Sequence, residues 1–290
     1  ALYRAKAEGA NSYVVFDRKM AVQIEARQNL ECELRKAISN NELELHYQPV
    51  IDVKTQNICS VEAFVRWRHP KMGLIRPREF IPVAEATDLI VPIGQWILQR
   101  ACIDAIAWPP NIKVIVNVSA TQFKKSNLVA DVKCALHKSG LPARRLEIDI
   151  MESVLFDDDR RNLETMHQLK KLGTAIALDD FGVGYSSLNN LTIFPFDKIK
   201  IDSSFIAKMT KSPGCAAVIA TVVTLGRCLD IQTAAKGVES KQEFNSLCAS
   251  GISFVQGYLF GPPHPASELQ FDDSFCHESI KEDGRATGAM

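Results

Sequence analysis

The chain has 290 residues, of which 46% are hydrophobic and 23% are charged, values typical of a globular protein with a large core. Lysine and arginine together number 34, as do aspartate and glutamate, so no global charge favours a nucleic acid polymer or an acidic membrane as a partner. The sequence contains no apolar run near the roughly 20 residues of a membrane span. Its eight cysteines are scattered singly, which favours a reducing cytosol over a disulfide framework or a structural zinc site.

The first forty residues predict a junction between domains. In residues 1–16, ALYRAKAEG predicts a helix tail that ends at Gly9, and SYVVF predicts a short strand without an obvious partner sheet. Residues 17–39 predict a charged, amphipathic helix that ends near Asn40. This helix is either a rigid connector between domains or a helix that lies across the following domain, and its pattern leaves both open.

Eight strand-like runs follow, and helix-length segments separate them from the second onward. The runs span residues 43–50, 59–65, 113–119, 145–151, 174–180, 197–202, 232–238 and 253–259, and the helical segments include residues 77–107, 128–138, 160–172, 216–228 and 241–248. Strands that alternate with helices pair in parallel, and eight of them favour a closed barrel. A doubly wound open sheet is the alternative, but no glycine-rich phosphate loop follows an early strand.

The first two strand-like runs differ from the others in how they are connected. Residues 51–58 alone join them, too few for a crossover helix, so a hairpin is expected there. The predicted fold is therefore of the α/β class, a modified (β/α)8 TIM-type barrel with one antiparallel strand at the start.

The stretch TAIALDDFGVGYSSL, residues 174–188, carries the strongest local signal for a functional site. An apolar run ends in Asp179 and Asp180, and a glycine-bearing loop follows. A buried strand that ends in two carboxylates beside a flexible loop suits a divalent cation or a phosphoryl group. Alone, the same pattern also fits two acids that leave a strand into solvent and cap the next helix.

Other predicted strands also carry polar residues late in their sequence, where barrel strands open on an active-site face. These residues are Gln48, Glu62, Asn117, Asp149, Asp179, Asp180, Lys200, Lys236 and Gln256. Unpaired buried charge is costly, so a ring rich in carboxylates is hard to explain by packing. Oxygen ligands favour Mg²⁺ or Mn²⁺ over Zn²⁺. Lys200 is expected to act on a water or a phosphate, or to form a salt bridge with Asp179 or Asp180.

With these residues assembled, the chain resembles the EAL-domain family of cyclic di-GMP phosphodiesterases. The blocks YQPVID, VEAFVRWRHP, FIPVAE, VNVSATQF, LEIDIMES, LDDFGVGYSSL, DKIKID, KGVES and VQGYLFGPP occur in the family's order between residues 43 and 263. Residues 1–16 resemble the closing helix and strand of a GGDEF domain. The resemblance implies a GGDEF–EAL tandem, with residues 17–40 as a linker helix, residues 41–265 as the EAL barrel and residues 266–290 as a polar tail.

The resemblance also implies a role for each matching residue. Glu62, Asn117, Asp149 and Asp179 would bind a first metal ion, and Asp180 a second. Lys200 would hold or activate the attacking water, while Glu152 and Glu239 would brace the loop after Asp180 and the floor of the site. Gln48, Phe64, Arg66 and Gln256 would contact the ligand or support it, Arg66 through charge-assisted hydrogen bonds.

The implied reaction is hydrolysis of one phosphodiester of cyclic di-GMP to give pGpG, with two cations about 3.5–4 Å apart. The implied partners are the dinucleotide, a GGDEF domain in cis, a second copy of the chain and other proteins. The implied location is the cytoplasm for this segment, with any membrane attachment in parts of the native protein that lie outside it.

Four positions depart from the family pattern. Phe64 stands where the motif has leucine, Val183 where a threonine is usual, and Asp149 where a glutamate ligand is usual. Lys236 occupies the place of the first glutamate in the family's EGVE block, so an anion is replaced by a cation.

Lys236 separates three hypotheses about function. Its ammonium could fill the vacated metal position and pair with Asp180 or with the ligand, which predicts a cyclic di-GMP receptor, or a scaffold for partners, with weakened or lost metal binding. Alternatively it could extend to solvent and leave one metal working, which predicts an active and slower phosphodiesterase. Unrelated barrel chemistry is the third hypothesis, and nine ordered blocks oppose it. The sequence favours the receptor.

Overall fold

A computed structural model describes residues 18–156, 160–182 and 194–271. The chain divides into two compact units. Among the described residues, the first comprises residues 18–44 and 66–90, and the second comprises residues 45–65, 91–156, 160–182 and 194–271. The predicted strand near the start, the loop around Val183 and most of the polar tail lie outside the described residues. Among the residues that are described, no helix is both long and apolar enough to cross a bilayer.

The first unit packs helix α1 (Arg18–Ala37) against helix α2 (Pro77–Ala86). Leu34 and Ala37 on the last turns of α1 are fully buried, so the end of the predicted apolar stripe is shielded from solvent. The end of strand β2 (Ile58–His69) pairs in antiparallel fashion with strand β3 (Gly73–Ile75). Buried His69 fixes the turn between them, because its Nδ1 accepts hydrogen bonds from two backbone N–H groups at 3.1 Å.

The second unit is a closed barrel of eight strands. Its strands in chain order are β1 (Leu43–Asp52), β2, β4 (Lys113–Val118), β5 (Leu146–Met151), β6 (Ala175–Phe181), β7 (Lys198–Ile201), β8 (Gln232–Ala235) and β9 (Phe254–Val255). Neighbouring strands pair in parallel from β2 round to β9. Strand β1 pairs with both β2 and β9, antiparallel to the latter, and so closes the barrel. The predicted barrel and its single antiparallel strand are confirmed.

Helices connect the strands in the predicted order. They are α3 (Ile90–Ile106), α4 (Ala120–Lys125), α5 (Leu128–Ser139), α6 (Ser153–Phe156), α7 (Arg160–Lys171), α8 (Ser203–Ile206), α9 (Pro213–Leu229) and α10 (Lys241–Ser250). The short helices α4, α6 and α8 were not predicted, because segments of four to six residues show no periodicity.

Several predicted boundaries were wrong. The single helical segment over residues 77–107 is two helices, and Asp88, whose φ of 62° is left-handed, lies at the break between them. Strand β8 ends at Ala235 and β9 at Val255, so Lys236 and Gln256 follow their strands. The sequence also gave no sign of β3 or of β10 (His264–Pro265), which adds to β1.

Candidate functional site

A bulge at the end of β6 turns two consecutive acids towards one cation. Successive residues of a regular strand point to opposite faces, but the pairing register shifts between Leu178 and Phe181, and Asp180 has a left-handed φ of 53°. The Lys236 ammonium therefore reaches both oxygens of Asp179 at 2.8 Å and Oδ1 of Asp180 at 2.7 Å. We call Asp179, Asp180 and Lys236 the rim cluster.

Below the rim cluster, a second lysine is buried among acids from other strands. Lys200 on β7 donates to Oδ2 of Asp149 on β5 and, at 3.3 Å, to Oε2 of Glu62 on β2. Asn117 donates to the other oxygen of Glu62 at 2.8 Å. We call Glu62, Asp149 and Lys200 the central triad. If Lys200 formed a salt bridge, the sequence predicted Asp179 or Asp180 as its partner. In the structure its partners are Asp149 and Glu62 instead.

The charge states of the central triad follow from burial and from its lysines. Burial raises the pKa of Glu62, but Lys200 and Lys236, with hydrogen bonds from neighbouring amides, outweigh it and lower that pKa to about 2. Burial lowers the pKa of Lys200, yet the surrounding carboxylates, Asp149 foremost, raise it well above its usual value. Lys200 therefore remains an ammonium and Glu62 a carboxylate at neutral pH.

Acidic side chains outnumber lysines in the site. Four carboxylates of the central triad and rim cluster face two ammonium groups. Burial raises the pKa of Asp149 well above its usual value despite Lys200, and its Oδ1 is buried with no hydrogen-bond partner among the described residues. Burial opposes the charge of Lys236, but Asp179, Glu62 and Asp180 raise its pKa. Lys236 is therefore a cation at neutral pH.

A cavity of about 430 Å³ opens beside the rim cluster. This volume lies in the range of about 300–1,000 Å³ that is typical of small-molecule sites. The lining combines one lysine, two acids, two aromatic rings and several small or amide residues: Gln48, Phe64, Ser203, Ser204, Ala207, Lys236, Gly237, Glu239, Glu243, Gln256, Gly257 and Tyr258. Within this lining, Lys236 supplies the positive charge and Phe64 and Tyr258 supply faces on which a base can stack.

The remaining predicted site residues lie in different surroundings. Gln256 donates to Gln48 at 3.1 Å, and Gln48 donates to the carbonyl of Gly261 at 3.0 Å, so these two amides form one chain at the cavity. Exposed Glu239 lines the cavity, and Glu152 is buried just after β5. Arg66 belongs to the first unit. The roles of these residues stay predictions, and the loop that Glu152 is expected to brace falls partly outside the described residues.

Sequence reasoning missed a second buried ion pair inside the barrel. Lys198 donates at 2.8 Å to both oxygens of Glu147, and both side chains are almost fully buried. Each lies two residues before a member of the central triad, Lys200 or Asp149, on a strand whose alternate residues face inward. That spacing could have revealed the pair. We call Glu147 and Lys198 the floor pair.

Comparisons with known proteins agree with this fold and site. The family model described as "EAL domain" matches residues 31–263. The protein y4lL of Sinorhizobium fredii is 46% identical over 268 residues, which is 92% of this chain and 32% of that protein. The "Bifunctional diguanylate cyclase/cyclic di-GMP phosphodiesterase MucR" of Pseudomonas aeruginosa is 38% identical over 273 residues, 93% of this chain and 40% of that protein. The chain thus spans about a third of the length of such relatives.

A solved structure has a similar fold. The structure titled "PaMucR Phosphodiesterase, c-di-GMP complex" superposes with a TM-score of 0.80 at 38% identity, over 83% of this chain and all of the other. The barrel with its carboxylate-lined opening is a TIM-type barrel of the EAL class. The chain belongs to the EAL domain family.

Phosphodiesterases of this family generally depend on divalent metal ions, and the donor set of this chain can be tested against that need. The Lys236 ammonium hydrogen-bonds to both oxygens of Asp179 and to one oxygen of Asp180 at 2.7–2.8 Å. A second metal cation would require these same three oxygens. Among the described residues, no group of three or more His, Cys, Asp or Glu is arranged to hold a metal ion. The arrangement therefore does not fit a pair of divalent cations.

Proposed function

We propose that this chain is a cyclic di-GMP-binding EAL domain that acts as a receptor or signalling module rather than as an efficient hydrolase. The observation that carries the proposal is the position of Lys236, whose ammonium is bonded to Asp179 and Asp180 at the opening of the barrel. A fixed monovalent cation there supplies charge for a phosphate, but it provides no bound water for attack.

The cavity supports nucleotide recognition. Lys236 lines the cavity, and its side chain keeps 22% of its surface exposed. All three N–H donors of its ammonium face carboxylate oxygens, so a ligand phosphate would replace the bond to Asp180, the more exposed acid. Phe64 and Tyr258 would stack a guanine, and Gln48 with Gln256 would hydrogen-bond its edge. The complex of the similar MucR structure with c-di-GMP supports this choice of ligand.

An active phosphodiesterase is the second candidate function. The observation that favours it is the convergence of Glu62, Asn117 and Asp149 with one oxygen of Asp149 left without a hydrogen-bond partner among the described residues. Such a donor set would bind a single divalent cation, Mg²⁺ or Mn²⁺, in exchange for a bond of Lys200.

The native protein is proposed to be a longer, GGDEF–EAL tandem. The chain spans 40% of MucR, whose name includes a diguanylate cyclase, and that relative supports a cyclase-type domain elsewhere in the native protein. Regulation by such a domain, a homodimer and other protein partners stay predictions.

The experiment is a calorimetric titration of cyclic di-GMP in three conditions: EDTA, Ca²⁺ and Mg²⁺. Ca²⁺ serves to hold the ligand without turnover, and chromatography after Mg²⁺ or Mn²⁺ measures pGpG. The receptor proposal expects the same affinity in EDTA and Ca²⁺ and no pGpG, because Lys236 already supplies the cation. A Lys236→Met variant should lose affinity, whereas Lys133→Met, which removes an exposed lysine of α5, should not.

Each outcome separates the two candidates. Binding that needs a divalent cation, together with pGpG at ordinary rates, would establish the phosphodiesterase and refute our interpretation of Lys236. Absence of binding in all three conditions would refute both and leave a scaffold for protein partners.

A further inference from the structure

The floor pair and the central triad stand on the same two strands, one step apart. Glu147 and Asp149 alternate on β5, and Lys198 and Lys200 alternate on β7. Residues two apart on one strand lie about 6.6 Å apart and face the same side. Each lysine is bonded to the acid of its own level, Lys198 to Glu147 and Lys200 to Asp149.

Apolar side chains surround the floor pair inside the barrel. Val50, Ile115, Ala234 and Phe254 form a cluster of buried residues in the barrel, and the Lys198 ammonium lies 4.6 Å from the centre of the Phe254 ring. These four side chains carry no polar atom that could satisfy a charge. Burial raises the pKa of Glu147, but Lys198 foremost, then Lys200 and more weakly Lys113, lower it. The two lysines of β7 are therefore its leading counter-charges.

Whether Lys200 bonds to Asp149 and Glu62 or to Glu147 therefore depends on the charge of Lys198. Lysine is long enough to span one level of a strand, and Lys200 already feels the field of Glu147, which contributes to raising its pKa. If Lys198 lost its charge, Glu147 would be a buried carboxylate without its hydrogen-bonded cation, a costly state, and Lys200 would be the strongest cation left to it. Glu147 would then regain a bonded cation if the Lys200 ammonium moved from Asp149 and Glu62 to Glu147.

We infer that the floor pair is a positioning device: by neutralising Glu147, Lys198 keeps the Lys200 ammonium in the central triad. Lys198 and Glu147 touch no ligand in this scheme. They act through Lys200, and the geometry of Asp149 and Glu62 beneath the ligand depends on them.

The test is a double-mutant cycle with Lys198→Met, Glu147→Gln and the double variant, each titrated with cyclic di-GMP. Lys198→Met should weaken binding by about tenfold or more, and the double variant should return to within about threefold of wild type, because the unpaired acid is gone. Lys170→Met is the matched control. It breaks the Lys170–Asp197 ion pair, where both side chains are about one-third exposed, and should leave affinity unchanged.

A purely structural role predicts a different pattern. It would lower the melting temperature of Lys198→Met but leave the dissociation constant of the folded protein unchanged, and that result would overturn the inference. If Lys198→Met does not fold, Lys198→Gln removes the same charge while its amide still donates to Glu147.

The affinity readout rests on the proposed function, so a crystal structure of the single variant is the second measurement. The Lys200 ammonium should lie within hydrogen-bond distance of Glu147 there, and its retention on Asp149 and Glu62 would refute the inference. If wild-type protein fails to bind the dinucleotide, the proposed function falls, while the position of Lys200 still decides this inference.

Discussion

The substitution Lys236→Glu reverses the charge at the centre of the rim cluster. In the wild type the ammonium lies 2.7–2.8 Å from oxygens of Asp179 and Asp180. A unit pair at about 4 Å is worth about 4 kcal/mol at an effective dielectric of about 20. Solvent screens the interaction with Asp180, whose side chain is 39% exposed, so the buried Asp179 dominates. Removing a partner from a buried pair costs about 3–5 kcal/mol.

We therefore expect Lys236→Glu to lower the melting temperature in EDTA. Three adjacent carboxylates would then bind a divalent cation, and Mn²⁺ at about 100 times its dissociation constant would return about 2.7 kcal/mol. Since about 1 kcal/mol moves the melting temperature of a large domain by about 2–4 °C, the metal-dependent rise should be several degrees.

The assay is thermal unfolding in EDTA, Mg²⁺ and Mn²⁺, followed by chromatography for pGpG. Lys133→Glu carries the same charge change on an exposed site and should show neither effect. The reasoning would be refuted if the melting temperature of Lys236→Glu did not respond to metal, or if wild-type protein responded as strongly.

Three further predictions concern the scaffold. Gly257→Ala should lower the free energy of unfolding by about 1–3 kcal/mol in urea, because the new Cβ would lie 2.0 Å from the Val238 carbonyl oxygen. Gly214→Ala in helix α9 is the control. Its Cβ would lie 3.8 Å from Ser212 Oγ, so this variant should be neutral or more stable by up to about 1 kcal/mol. Burial raises the pKa of Cys102 to about 12. Mass spectrometry should therefore show that iodoacetamide at pH 8 labels the exposed cysteines first and Cys102 only after denaturation. Labelling of Cys102 in the folded protein at the rate of the exposed cysteines would contradict this. His69→Ala should cost about 1–3 kcal/mol in urea, because two backbone N–H groups lose their acceptor, and an unchanged midpoint would count against that account.

Strand periodicity and connection length were sufficient to predict the barrel. Eight β-prone runs and the short link at residues 51–58 predicted both its closure and its antiparallel strand. Boundaries failed where a single backbone angle decides them, as at Asp88, or where a strand is only two residues long, as at β9. Such short features carry no period in the sequence.

The polar ring was predicted for a related reason, since parallel strands bring their carboxyl ends to one face. Which lysine pairs with which acid was not predictable, because it depends on the bulge at Asp179 and on long side chains that can each reach several partners. Lys200 therefore pairs with Asp149 and Glu62 rather than with the acids of β6.

The sequence by itself determined the α/β class, the order of the strands, the family resemblance and the presence of a cation at position 236. These follow from local composition and spacing, which the chain carries in every conformation. Only the tertiary structure decided that Lys236 is bonded to Asp179 and Asp180, and that Lys198 and Glu147 form a second ion pair beneath the first. The reason is physical: the energy of a charge depends on its distance to other charges and on its burial, and both exist only once the barrel has closed.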